Sequence, residues 1–370
     1  MLSVVFLSRL AEEAPVSQKL AAAIILAAGK GTRIKSQTPK VLLSMCGRSL
    51  VGHALDAVEK AGTEHTVVVV RHERDHVVSH LSQIAPHVLI ADQDDIKGTG
   101  RAAWCGMEAL PADLHGPILV VAGDSPMFTP ETLAELTRVH NESGAAVTVL
   151  STVLNNSFGY GRILRDAAPG STETPHTPEA TGPVVGIVEE KDATDLQRTI
   201  KEIGTSTYIF DADFLRSTLG GLGTDNAQGE MYLTDVIARA SEQGKGVASY
   251  VLADSIQAEG VNDLVQLATL RAEKNRRILE FWMRSGVSII DPATTHIDVG
   301  VTLAPDAIIQ PGTILRGNTN VSGFAVVGPH TELTDVTVGE RSTVPHVVAC
   351  ATRIEADTHV PPFTVLGESH

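Results

Sequence analysis

Aliphatic residues recur at every sixth position over one stretch of this chain: Leu303, Ile309, Leu315, Val321, Val327 and Leu333. Four places after each stands a small or β-branched residue, namely Ala307, Thr313, Thr319, Ala325, Thr331 and Thr337. The phase slips by one at Val338 and Val344, then resumes with Ile354, Val360 and Leu366. A period of six fits neither an α-helix nor a simple strand. It fits a parallel β-helix, in which three short strands form each triangular coil and the aliphatic residue points inward. At about eighteen residues per coil, residues 297–370 supply about four coils.

Upstream the pattern is different. Short apolar runs at Ala22–Leu26, Thr66–Val70, Val88–Ala91, Ile118–Ala122 and Ala146–Leu150 alternate with helical stretches at Ser49–Ala61, at Thr99–Leu110 and from Thr129, where Pro130 takes the first-turn position. Such alternation predicts a doubly wound, mostly parallel sheet of Rossmann-like type with helices on both faces. FGYGRI at 158–163 and GIVEEKDA at 186–193 read as two strands around a Pro-, Thr-, Ser- and Gly-rich insertion, expected to be a mobile hairpin tip. From Asp263 to Ser285 the apolar spacing of three and four predicts a helical arm. The expected organisation is therefore a poorly ordered extension over 1–20, an α/β domain over 21–262, a helical linker over 263–286 and a short left-handed β-helix over 287–370.

The α/β part opens on AAIILAAGKGTRIKSQTPK, residues 22–40. A buried strand that ends in a glycine loop presents backbone N–H groups where phosphate oxygens can meet them. Lys30, Arg33 and Lys40 put three cations within this loop. It is neither a Walker loop, which needs GxxxxGK[ST], nor a complete dinucleotide fingerprint, because Ile34 stands at the third glycine position. The loop reads as a grip for a nucleoside triphosphate, against the plainer alternative of a tight turn with solvated charges. Ligands in open α/β sheets sit beyond the carboxyl ends of the strands. By that rule Asp124, in VVAGDSP just past a strand, falls on the same sheet edge, although an Asp before Pro126 is also an ordinary turn former. A formal net charge of −15 argues against nonspecific nucleic-acid binding and makes a local basic focus necessary for any anionic substrate. Cys46, Cys105 and Cys350 have no metal-ligand or paired spacing, as in a reduced cytoplasmic protein. The fourteen histidines show no ligand spacing either and read as structural or exposed. No stretch approaches the ~20 apolar residues of a membrane span, and VVFL near the start lacks the basic flank of a signal peptide.

LAAGKGTR…PK, QxxxxGTG, GDxP, GYGRI, VExKDA, NAQGExYxTD and EGVN follow one another in that order ahead of the hexapeptide repeats. In this combination the chain, from residue 21 to 366, resembles the bacterial bifunctional family of N-acetylglucosamine-1-phosphate uridylyltransferase/glucosamine-1-phosphate acetyltransferase enzymes. The resemblance implies attack of a sugar 1-phosphate oxygen on the α-phosphorus of UTP with loss of pyrophosphate. It implies that the backbone of Leu26, Ala27, Ala28 and Gly29, with Gln93, Gly98 and Thr99, holds the uridine. Arg33 and Lys40 would neutralise the triphosphate, and Asp124 and Asn262 would hold Mg2+. Gly161, Glu189, Gly204, Glu230 and Tyr232 would line the sugar-phosphate pocket. A homotrimer joined through the β-helix is implied as well.

Two departures qualify these expectations. Where the family has EINxG this chain reads EIGTS, so Gly204 replaces an asparagine and Ser206 a glycine, which bears on the sugar accepted. Ile96 and Arg101 replace a glutamine and a histidine in the loop after Gln93. The family's second active site begins just after the segment matching PPFTVLGESH, so the resemblance implies uridylyl transfer without acetyl transfer for these 370 residues. Uridylyl transfer to a different sugar 1-phosphate, and nucleotide-sugar binding without catalysis, are the alternatives.

Overall fold

The computed structural model describes residues 19–31 and 33–367, so most of the expected N-terminal extension lies outside the described residues. The chain forms two compact units. Among the described residues, the first comprises 19–31, Ser36–Leu42 and Val51–Gly260; the second comprises Arg33–Lys35, Leu43–Leu50 and 261–367.

The first unit is built on a nine-stranded sheet. Its strands are β1 Ala22–Leu26, β2 His65–Val70, β3 Leu89–Asp92, β4 Pro117–Ala122, β5 Val147–Val153, β6 Arg162–Arg165, β7 Val184–Val188, β8 Glu202–Asp211 and β9 Val247–Leu252. The main order is β9-β5-β8-β4-β1-β2-β3, with β6 paired to β8 and β7. Pairs β1–β2, β1–β4, β2–β3 and β5–β9 are parallel, while β8 runs antiparallel to both β4 and β5. Alternation along each strand divides the core. Ile24, Val67 and Val69 face one apolar layer and Ile25, Val68 and Val70 the other, which is why these strands read as unbroken apolar runs. The helix Pro130–Ser143 begins as expected: the Thr129 hydroxyl accepts the Thr132 N–H at 3.2 Å, and Gly144 ends the helix at φ 61°.

Strands β8 and β9 had no clear sequence signal. In β8, Gly204, Thr205 and Ser206 interrupt the apolar pattern, and the register with β5 shifts between Gly204 and Tyr208. Ser206 sits in that shift at φ 58°, a left-handed conformation costly for a residue with a Cβ. β6 and β7 pair antiparallel, as expected around the insertion. The insertion itself is tied across by Glu173, whose carboxylate accepts the N–H groups of Ala168 and Thr181 at 3.0 Å each.

In the second unit, short strands stack into three parallel sheets, the three faces of the β-helix. Early coils pair at a spacing of eighteen, as in Thr302 with Asn320; later ones tighten to seventeen, Asn320 with Thr337, and sixteen, Glu332 with Val348. Where the coils shorten, the inward small position moves: Val336, Ser342 and Val347 are buried, whereas Thr337 is only half-buried. The helix Leu264–Arg284 is capped by Asp263, which accepts the Gln266 N–H at 2.8 Å. Its C-terminal half is no free-standing arm. Leu279 shares one apolar cluster with Ile297, Leu303 and Leu315, and the buried Asn275 bonds the backbone of Thr295 and Ile297.

Candidate active site

Four chain exits meet at one edge of the sheet. β1 and β4 lie side by side with Leu26 opposite Ala122, so both release the chain at the same carboxyl edge. The Gly123 N–H donates to the Leu26 carbonyl at 2.9 Å and locks the two exits together. β2 delivers Arg71 and His72 to this edge, and the Gln93 N–H, past β3, donates to the Val70 carbonyl at 2.9 Å. A cavity of about 650 Å3 opens there. Leu26, Ala28, Gly29, Lys30, Lys40, Gln93, Gly98, Thr99, Asp124 and Glu230 line it, together with Arg71, His72, Lys97 and Ser206.

Lys40 owes its place to the turn that precedes it. Pro39 starts a 3-10 turn over Lys40–Leu42, closed by the Leu42 N–H on the Pro39 carbonyl at 2.9 Å. Gly31, at φ 60°, lies so close beneath that a Cβ there would come within 3.0 Å of the Lys40 Cβ. The Lys40 ammonium donates to the Asp124 carboxylate, both side chains being four-fifths or more buried.

The loop after Gln93 is shaped by its own side chain and by a second loop. Gln93 Nε2 donates to the carbonyls of Ile96 at 2.9 Å and Gly98 at 3.2 Å. Gly98 adopts φ 115°, and a Cβ there would lie 2.1 Å from the Met231 carbonyl oxygen. The Met231 N–H donates to the Lys97 carbonyl and the Gly100 N–H to the Met231 carbonyl, at 2.8 Å each. Thr99 accepts the Leu233 N–H at 3.1 Å. Arg101 is occupied by Asp94 at 2.6 Å and lies over the Trp104 ring.

The residues expected around the sugar phosphate form a neighbouring group. The Gly204 N–H donates to the Gly161 carbonyl at 3.0 Å, and the position of a Gly161 Cβ would be 3.5 Å from Glu189 Oε2. The Thr234 hydroxyl donates to Glu189 Oε1 at 3.3 Å. Burial pushes the Glu189 carboxyl pKa up; the Thr234 bond opposes this in part, and Asp192, Asp235 and Glu230 reinforce it. The buried Tyr232 has its hydroxyl 2.7 Å from Gln228 Nε2 and 3.4 Å from Asp192.

Arg33 and Asn262 belong to the second unit, where the Arg33 guanidinium donates to Asn262 Oδ1 at 2.6 Å. Ala27 is buried in the core and its N–H donates to the Val69 carbonyl. That bond, like the one on the Leu26 carbonyl, commits backbone groups expected at the uridine to the sheet. His72, one of the histidines read as structural or exposed, lines the cavity. Burial, then Arg71 and Lys30, lower its pKa and favour the neutral imidazole. The strand-end rule is the signal that could have found it, since it is the second residue past β2. Among the described residues no group of three or more His, Cys, Asp or Glu side chains is placed to hold a metal, and no helix is long and apolar enough to cross a membrane.

The sequence model of the MobA-like NTP transferase domain matches residues 23–173, the part that carries the glycine loop, Lys40, Gln93 and Asp124. The protein named bifunctional protein GlmU from Paenarthrobacter aurescens is 49% identical over 94% of this chain and 69% of its own length. Its counterpart from Pseudarthrobacter chlorophenolicus is 48% identical over 94% and 70%. That from Kineococcus radiotolerans is 49% identical over 94% and 68%. Similarity of this extent, running through both units, makes the chain a nucleotidyltransferase that belongs to the GlmU family.

Proposed function

We propose that the chain converts UTP and N-acetylglucosamine 1-phosphate to UDP-N-acetylglucosamine and pyrophosphate. The observation that carries this reading is the Lys40–Asp124 pair beside Gly29 in the strand-end cavity. An oxygen of the sugar phosphate forms the new P–O bond at the α-phosphorus of UTP as the bond to pyrophosphate breaks. Such a displacement asks the protein mainly for alignment and charge neutralisation. Lys40 supplies a cation for the triphosphate and the departing pyrophosphate. Lys30, Arg71 and Lys97 add positive charge around the same cavity. The Gln93–Thr99 loop, tied by the Gln93 side chain, supports the uridine, and Gly161, Glu189, Gly204, Glu230 and Tyr232 the sugar phosphate.

The cofactor of this reading is Mg2+. The Asp124 carboxylate would hold it, an oxygen donor that suits a hard cation taking most of its remaining ligands from phosphates and water. When bound, the ion supplies charge neutralisation on the phosphates.

The protein's working form in this reading is a cytoplasmic homotrimer joined through its β-helix. A different sugar 1-phosphate is favoured by one observation. Gly204 carries no side-chain amide, and the space of its Cβ lies 2.9 Å from Ile187 Cδ1, which gives the pocket a less polar wall there. Pyrophosphate release from UTP across a panel of sugar 1-phosphates tests both readings. Turnover with N-acetylglucosamine 1-phosphate alone supports the first, preference for another sugar the second, and no turnover with any rejects both.

A further inference from the structure

A second basic cavity, of about 630 Å3, lies elsewhere in the first unit. Arg162, Lys191, Arg198 and Lys201 line it, with Glu190 as the carboxylate among them. Such a concentration of cations runs against a chain whose formal charge is −15. Arg162 is the anomaly at its base. Its side chain is 2% exposed, one guanidinium nitrogen bonds Glu190 at 2.6 Å, and its Nε is buried without a hydrogen-bond partner. Buried guanidinium donors are seldom left unpaired.

The other cations are only partly engaged. Arg198 bonds Asp195 at 2.9 Å and lies 3.7 Å from Glu190, Lys201 donates to the Asn155 carbonyl at 2.7 Å, and Lys191 donates to Gln228 at 3.0 Å. An ammonium has three donors and a guanidinium five, so each keeps donors for a ligand. At the rim the Phe158 ring is 77% exposed. Gly161 stands beside Glu189, whereas the residues next to them, Arg162 and Glu190, pair with each other.

We propose that this cavity binds a small organic phosphomonoester, its phosphate held by Arg198 and Lys201 over the buried charge of Arg162 and its organic part laid against Phe158. Charge-assisted bonds to guanidinium and ammonium groups suit a dianionic phosphate, and the volume leaves room for more than phosphate alone. The proposal does not depend on the reaction assigned to the other cavity.

Calorimetric titration of the full chain with inorganic phosphate and with phenyl phosphate, without UTP or sugar, tests it. Arg198 and Lys201 are exposed enough to be replaced without hollowing the core. In the Arg198→Ala/Lys201→Ala double variant both affinities should fall about tenfold or more. Lys40→Ala, which removes a cation of the nucleotide cavity, identifies any phosphate bound there, and the binding that remains in it should still be lost when Arg198→Ala/Lys201→Ala is added. Phenyl phosphate should bind more tightly than inorganic phosphate, and Phe158→Ala should abolish that difference. Binding that survives all three substitutions, binding lost with Lys40→Ala alone, or no phosphate binding by the wild type would overturn the assignment. Equal affinity for the two probes would overturn the part given to Phe158.

Discussion

The Lys40 ammonium donates to the Asp124 carboxylate although 84 positions of sequence separate them. Parallel pairing of β1 with β4 makes the meeting possible, because both residues follow strands that end at one sheet edge. One cation about 4 Å from one anionic charge is worth roughly 4 kcal/mol at an effective dielectric near 20, before desolvation. Replacing Lys40 by Ala should therefore lower kcat/KM for UTP by about two to three orders of magnitude. Initial-rate pyrophosphate release measures this, and a loss below about fivefold would remove Lys40 from the reacting phosphates.

Gly98 gives a second prediction, because two loops touch through it. A Cβ there would enter the Met231 backbone, and φ 115° is itself unfavourable for any residue with a side chain. Gly98→Ala must push the 93–100 loop from the 226–233 loop and disturb Gln93 and Thr99 together. The expected result is an increase in KM for UTP of about tenfold or more, with stability lower by about 1–3 kcal/mol. An unchanged KM for UTP would show that this loop does not support the nucleotide.

These two residues also mark what the sequence could and could not disclose. The strand-end glycine loop and Asp124 were legible because alternating apolar runs predict a parallel sheet, and the carboxyl-edge rule then applies to each strand end. The contact of Gly98 with Met231 joins positions 133 apart and has no local signal. The six-residue period announced the β-helix, but coils shortened to seventeen and sixteen residues moved the inward position to Val336, Ser342 and Val347. β8 stayed hidden because Gly204–Ser206 break its pattern at the bend where Ser206 enters the cavity edge. Arg71 and His72 were within reach of the same rule that found Asp124; histidine spacing alone looked only for metal ligands.

Glu189 makes a pH prediction whose sign is fixed by the direction of its shift. Burial raises its pKa above the ordinary 4.5, so the folded state favours the protonated acid. Its contribution to stability is full below the unfolded pKa and is lost as pH rises through the raised folded value. Glu189→Gln, which stays neutral, should therefore gain stability relative to wild type between about pH 4.5 and pH 7. Urea midpoints of both proteins at the two pH values read the change. A gap that stays constant or narrows would contradict it.

Ser206 offers a test that separates strain from contact. Its φ of 58° suits glycine, and the same residue lines the nucleotide cavity. Ser206→Gly should relieve backbone strain and raise stability by up to about 1 kcal/mol. Should the hydroxyl contact substrate, KM for UTP or for the sugar phosphate will rise in the stabilised variant. If neither KM moves, Ser206 shapes only the bend in β8.

Asn275 tests how the helix Leu264–Arg284 is held to the β-helix. Its amide donates to the Thr295 carbonyl at 2.9 Å, and its oxygen accepts the Ile297 N–H at 3.1 Å. Leucine at this buried position would fill a similar volume but leave both backbone groups unsatisfied, at about 1–3 kcal/mol each. The chain has two tryptophans, and Trp282 packs on the β-helix cluster while Trp104 lies in the first unit. In a Trp104→Phe background, Trp282 fluorescence during urea unfolding reports on the second unit alone. Asn275→Leu should lower its midpoint, with a total loss of about 2–6 kcal/mol. An unchanged midpoint would mean that Leu279 and the surrounding apolar contacts, and not these two bonds, dock the helix.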